Sequence, residues 1–143
     1  MSNLHLKRTP QIGGTIQKLP SSKSISNRAL LLDALSGYRS TVSNLATARD
    51  TQLMKSLLGN TGKTIDAMDA GTTMRFLTAY YAISGQNKVL TGTPRMKERP
   101  IGLLVEALRE IGADIDYLEK EGFPPHEVKG FHSQKTPEIS LPG

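Results

Sequence analysis

Apolar residues recur at helical spacing in four stretches of the chain, and short apolar or alternating segments lie between them. In the first stretch, Pro20, Ser21 and Ser22 precede Ala29-Leu30-Leu31-Leu32 and Leu35, and Gly37 follows. That order predicts a serine-capped helix with a glycine exit. Residues 41–45 read as a short strand. Residues 48 to about 59 read as a second helix with Leu53, Leu57 and Leu58 facing inward, and residues 63–68 as a strand ending at Asp69. Further on, residues 71–85 predict a helix opened by Gly71 and Thr72, and residues 88–91 a strand. Residues 100–111 predict a helix with Pro100 in its first turn and Leu104, Leu108 and Ile111 along one side, and residues 113–118 a strand.

The two halves of this pattern lie over one another. Arg28 matches Arg75 at a separation of 47, which also pairs Ser24 with Gly71. At a separation of 50, Arg49 meets Arg99, Leu58 meets Leu108, Ile65 meets Ile115 and Asp66 meets Asp116. The expectation is a duplicated unit of helix, strand, helix and strand, at about 19–68 and 69–118. The tail Glu138-Ile139-Ser140-Leu141-Pro142-Gly143 resembles Gln17-Lys18-Leu19-Pro20-Ser21, so residues 137–143 read as the start of a third unit. A strand without its following helix exposes apolar surface, and the expectation is that the chain is part of a longer protein.

Composition narrows the chemistry. At 143 residues the chain has one domain's worth of sequence. It has no cysteine, which excludes a disulfide framework, a cysteine-based zinc site and a thiolate nucleophile. No apolar run approaches the roughly 18 residues of a membrane span, and the N-terminus lacks a hydrophobic signal segment; the expectation is a soluble, cytoplasmic protein. The formal net charge of +5 is unevenly placed: residues 1–99 carry 14 Lys+Arg against 5 Asp+Glu, and residues 100–143 carry 4 against 8. A basic region of this kind attracts nucleic acid, phospholipid or a small anionic substrate, and placement must decide which.

Placement favours helix starts. Lys23, Ser24 and Arg28 sit at the beginning of the first predicted helix, where free N–H groups and the helix dipole favour phosphate or carboxylate, and Arg28 lies one turn beyond Ser24 on the same face. The same residues also suit a capped helix with solvated charges. Asp69-Ala70-Gly71-Thr72-Thr73 opens the third helix in the same manner: Gly71 permits close backbone approach, Thr72 and Thr73 can cap or donate, and Arg75 lies four residues on. The spacing is not that of a Walker loop. Thr93-Pro94-Arg95-Met96-Lys97-Glu98-Arg99-Pro100 reads as a charged loop before the fourth helix, and arginine's planar fork suits a carboxylate. His5, His126 and His132 have no metal-type spacing. His126, beside Pro124-Pro125, reads as a turn residue, and no metal or cofactor is expected. Glu106, Glu110, Asp114, Asp116, Glu119 and Glu121 read as a solvated face, with no carboxylate pair placed for acid–base work.

Taken together, Leu19-Pro20-Ser21-Ser22-Lys23-Ser24-Ile25-Ser26-Asn27-Arg28-Ala29-Leu30, Asp69-Ala70-Gly71-Thr72-Thr73-Met74-Arg75 and Leu90-Thr91-Gly92-Thr93-Pro94-Arg95-Met96-Lys97-Glu98-Arg99-Pro100-Ile101-Gly102 resemble the 5-enolpyruvylshikimate-3-phosphate synthase family in order and spacing. That resemblance implies an α/β fold of repeated βαβαββ units, the inside-out α/β barrel of enolpyruvyl transferases. Residues 19–143 would form an incomplete first lobe of two, and residues 1–18 a segment of the second lobe or hinge. It implies transfer of the enolpyruvyl group of phosphoenolpyruvate to the 5-hydroxyl of shikimate 3-phosphate, with release of phosphate by addition and elimination. Carried over by position, Lys23, Ser24 and Arg28 would bind shikimate 3-phosphate, and Lys23, Gly71 and Arg99 would bind phosphoenolpyruvate. Thr72 would flank that site and Arg75 would support the Gly71 turn. The family's acids and bases lie largely in the other lobe, so no catalytic residue is expected here and the chain alone is expected to be inactive. The implied partners are the two small molecules, with no nucleic acid, no membrane and a monomeric full-length protein. Many relatives have Asn at the position of Asp69 and Pro at that of Phe76.

Two other classes of protein share part of this pattern. The transferase that adds enolpyruvate to a UDP-linked amino sugar commonly uses a cysteine where this chain has the Arg95-to-Arg99 stretch. A basic nucleic-acid module would interleave cations with stacking aromatics, whereas aromatic residues make up only 5% of this chain and Phe76, Tyr80 and Tyr81 share one helix at core-like spacing.

Overall fold

A computed structural model describes residues 19–140, together with His5, Lys7, Arg8, Gln11, Gln17 and residues 13–15. Most of the expected 1–18 lead-in and the end of the expected third unit, residues 141–143, lie outside the described residues.

The first helix, α1, covers Lys23–Leu35. Ser22 caps it by accepting from the Ile25 N–H at 3.3 Å, and the chain leaves through Gly37 at φ +77°. Ser26, Asn27, Leu30 and Ala34 form its buried face, while Ile25 and Leu32 are exposed. The expected strand at 41–45 is absent. That segment curls past the start of α1, with Asn44 in the left-handed region at φ +52°, and encloses with α1 a hollow of about 270 Å³. No strand lies alongside it among the described residues, and the Ser26 hydroxyl accepts the Ala46 N–H at 2.9 Å in place of a sheet ladder.

Helix α2, Arg49–Leu58, buries Thr51, Met54, Leu57 and Leu58. Leu53, expected to face inward, is only half-buried, because α2 turns its Thr51–Met54–Leu58 stripe toward the interior. From there the chain runs β1 (Thr64–Asp66), α3 (Gly71–Ile83), β2 (Lys88–Thr91), a one-turn helix α4 (Pro94–Lys97), α5 (Gly102–Ile111), β3 (Ala113–Tyr117) and β4 (His126–Phe131). Setting α4 aside, residues 64–131 thus run β-α-β-α-β-β. The four strands form one mixed sheet in the order β1-β2-β4-β3. β1 is parallel to β2 with Ile65 opposite Leu90, and β4 is antiparallel to both of its neighbours.

Three sequence expectations change here. The charged stretch before the fourth helix is α4, capped by Thr93, whose hydroxyl accepts from the Met96 N–H at 3.3 Å. Pro100 precedes α5, which starts at Gly102 with Ile101 at its cap. His126 does not sit in a turn. It begins β4 and is fully buried, pairing across the sheet with Tyr117. Burial pushes its pKa down to about 4. Its Nε2 meets the Thr78 Oγ at 2.9 Å, and since that hydroxyl also lies 2.9 Å from the Met74 carbonyl, the arrangement suits Nε2–H donating to Thr78 while Thr78 donates to Met74. The core lies between the sheet and helices α3 and α5, around Ile65, Met74, Leu77, Leu90, Val105, Ile115 and Val128.

Candidate functional site

Helices α1, α2 and α3 run parallel, because contacts tie both of their ends. At the C-terminal end the Tyr81 hydroxyl donates to the Leu57 carbonyl at 2.8 Å and the Tyr38 hydroxyl to the Leu58 carbonyl at 3.1 Å, satisfying groups that a helix leaves free. At the other end Lys23, the first residue of α1, meets Asp50 of α2 at 2.9 Å, and Arg49, the first of α2, lies 3.9 Å from Asp69, just before α3. Three helix N-termini therefore share one end of the molecule, where their unpaired N–H groups and aligned dipoles produce positive potential.

Each residue singled out from the sequence can be placed against that end. Arg28 folds back on its own helix: Nη1 donates to the Ser24 carbonyl at 3.1 Å and also contacts the Ser24 hydroxyl. Its guanidinium stacks on the Phe76 ring of α3, 5.5 Å from the centroid. Gly71 opens α3, and the Arg99 guanidinium lies directly on it; a Cβ at position 71 would be 2.6 Å from Nη1. Arg99 also donates to the Asp69 carbonyl at 3.3 Å. Arg75 makes the same backward bond as Arg28, to the Gly71 carbonyl at 3.2 Å, and a second to the Pro100 carbonyl at 2.8 Å. It thereby ties the start of α3 to the residue beside Arg99.

The threonines behave differently from each other. Thr72 is exposed at the head of α3. Thr73 is fully buried with its hydroxyl unpartnered, and neither caps the helix, whose N-cap is Ala70. Lys97 is drawn away to Glu119 at 2.7 Å. Contacts that no sequence pattern announced are the carboxylates of Asp50 and Asp69, which act as internal counter-ions for Lys23 and Arg49. Both pairs are substantially exposed, with side-chain exposures of 53% for Lys23 and 72% for Arg49. Such pairs contribute only about 0–1 kcal/mol and exchange readily for a better anion.

What the arrangement can do chemically is hold small multivalent anions. Lys23, Arg28, Arg49 and Arg99 face two carboxylates, leaving net positive charge where three helices begin. Among the described residues no group of three or more His, Asp or Glu side chains is placed to hold a metal, and no helix is long and apolar enough to cross a membrane.

The family model for EPSP synthase (3-phosphoshikimate 1-carboxyvinyltransferase) matches residues 6–69 and 60–142. A 3-phosphoshikimate 1-carboxyvinyltransferase of Bacteroides fragilis is 49% identical over 138 residues, which is 96% of this chain and 33% of that protein. One from Burkholderia ambifaria is 43% identical over 152 aligned positions, covering 90% of this chain and 35% of the relative. An EPSP synthase structure from Acinetobacter baumannii superposes with a TM-score of 0.71 at 19% identity, over 86% of this chain and 33% of that one, and so shares its fold. The chain spans about a third of the length of these relatives. With its family model matched along nearly the whole sequence and a relative 49% identical over 96% of it, this chain belongs to the EPSP synthase (3-phosphoshikimate 1-carboxyvinyltransferase) family.

Proposed function

We propose that this chain supplies one part of a 3-phosphoshikimate 1-carboxyvinyltransferase, which transfers the enolpyruvyl group of phosphoenolpyruvate to the 5-hydroxyl of shikimate 3-phosphate. The hydroxyl loses its proton and its oxygen bonds to C2 of phosphoenolpyruvate while C3 takes up a proton; C3 then gives a proton back as the C2–O bond to phosphate breaks, which restores the double bond and releases phosphate. Lys23, Ser24 and Arg28 bind shikimate 3-phosphate, and Lys23, Gly71 and Arg99 bind phosphoenolpyruvate. Thr72 flanks that site, and Arg75 supports the turn through the Gly71 carbonyl and the Pro100 backbone beside Arg99. The observation that carries this reading is the gathering of Lys23, Arg28 and Arg99 where α1, α2 and α3 begin side by side.

Both substrates carry a phosphate and a carboxylate. Fixed cations and helix N-termini stabilise the negative charge of such groups without reorganising during the reaction. In the free chain Asp50 occupies Lys23, so a ligand phosphate displaces a weak, exposed ion pair. Acid–base groups come from the remainder of the whole protein, and the chain alone does not turn over. The reading extends to a duplicated unit at about 19–68 and 69–118, a third beginning at 137–143, and a cytoplasmic monomer that takes small molecules rather than nucleic acid.

Calorimetric titration of shikimate 3-phosphate into this chain and into Arg28→Ala tests the assignment. A saturable heat that weakens at least tenfold in the variant is expected. Equal heats from the two proteins would refute it.

A further inference from the structure

We propose that Phe76 is a positioning residue: its ring is the platform that holds the Arg28 guanidinium at the border of α1 and α3, ready for an anionic ligand. This rests on the assignment of Arg28 to shikimate 3-phosphate. Arg28 is exposed, and a long exposed side chain loses rotamer freedom when it grips a ligand. Two contacts remove that freedom beforehand. One lies within its own helix, where Nη1 bonds to Ser24. The other crosses to α3, where the guanidinium lies 5.5 Å from the Phe76 centroid and meets the negative face of the ring.

Phe76 can serve in this way because it is itself held. It is half-buried and packed against the main core cluster, five residues past the glycine that opens α3. The ring therefore reports the position of α3 to a cation on α1, coupling the two helix starts. Among the described residues only Nη1 of Arg28 is engaged by protein acceptors, so Nη2 and Nε remain to face an anion in a fixed fork.

The test uses the full chain labelled with ¹⁵N-arginine, in wild-type, Phe76→Leu, Phe76→Tyr, Arg28→Ala and the Phe76→Leu/Arg28→Ala double variant. The Arg28 Nε–Hε signal is expected to be shifted upfield by the ring in wild-type and Phe76→Tyr, and to lose that shift in Phe76→Leu. Shikimate 3-phosphate affinity is expected to fall about two- to fivefold in Phe76→Leu, the range a cation–π contact at an exposed site provides. It should be kept in Phe76→Tyr, and phosphoenolpyruvate affinity should not change. In the Arg28→Ala background Phe76→Leu should cost nothing further. An unmoved Arg28 signal, or an equal loss of affinity with and without Arg28, overturns the proposal. Wild-type chain that shows the ring shift but no shikimate 3-phosphate heat overturns the ligand assignment instead, and leaves the stacking of Arg28 on Phe76 established.

Discussion

The Arg99 guanidinium occupies the space that a side chain on Gly71 would take: a Cβ there would approach Nη1 at 2.6 Å, Cζ at 2.7 Å and Nη2 at 2.8 Å. Arg99 is exposed and its guanidinium ends a flexible side chain, so the collision is relieved by swinging the arginine out. Gly71→Ala should therefore leave the thermal midpoint within a few degrees while weakening phosphoenolpyruvate binding by about tenfold or more, the scale of one lost charge-assisted contact. Calorimetry with parallel melting curves checks this. Unchanged affinity would separate Arg99 from the ligand.

The Thr73 hydroxyl is fully buried and has no hydrogen-bond partner. A buried polar group left unpaired costs about 1–3 kcal/mol, and valine matches threonine in shape. Thr73→Val is expected to raise stability by roughly 1 kcal/mol, read as a higher urea midpoint at unchanged m-value. A lower midpoint would mean that the hydroxyl is satisfied in solution.

Asp69 places a carboxylate 3.9 Å from Arg49, on the segment whose carbonyl accepts from Arg99. The Arg49 pair is exposed, so its removal should be nearly neutral for folding. For an incoming phosphate the effect is larger, since a like charge beside the site is lost. Asp69→Asn is expected to tighten phosphoenolpyruvate binding severalfold at low ionic strength, with the gain shrinking as salt screens it. Titrations at two salt concentrations decide the matter, and weaker binding in the variant contradicts it.

His126 titrates near 4 in the folded chain because burial disfavours its charged form, against about 6.5 when unfolded. The unfolded state therefore binds the proton first. The stabilisation is complete above pH 6.5 and is lost as pH falls from there toward 4, amounting to up to ~3 kcal/mol. Urea midpoints of wild-type and His126→Phe, compared between pH 7 and pH 5 where most carboxylates stay ionised, isolate this contribution. Parallel slopes for the two proteins would show that His126 is not the group responsible.

Much of the architecture could be read from the chain because local patterns carried it. Serine before an apolar run and glycine after it marked α1, and β2 came out at residues 88–91 as expected. β4 was illegible because its inward positions are His126, Val128 and Gly130, a set with only one strongly apolar member. The strand expected at 41–45 failed for the opposite reason. Its residues suit a strand, but none lies beside it to complete a ladder.

By itself the sequence determined where α1, α2 and α3 begin and the residue types placed there, Lys23, Ser24 and Arg28 in α1 and Gly71 with Arg75 in α3, and it put Arg99 ahead of α5, whose start at Gly102 it set two residues early. Capping and helical periodicity act over a few residues, and motif spacing is a property of the chain. Tertiary structure alone decided that α1, α2 and α3 begin at the same end, that Arg99 lies on Gly71 and Arg28 on Phe76, and that Asp50 and Asp69 neutralise neighbouring cations. Those contacts join residues separated by 20 to 48 positions, and packing around the core, rather than any local preference, sets which of them meet.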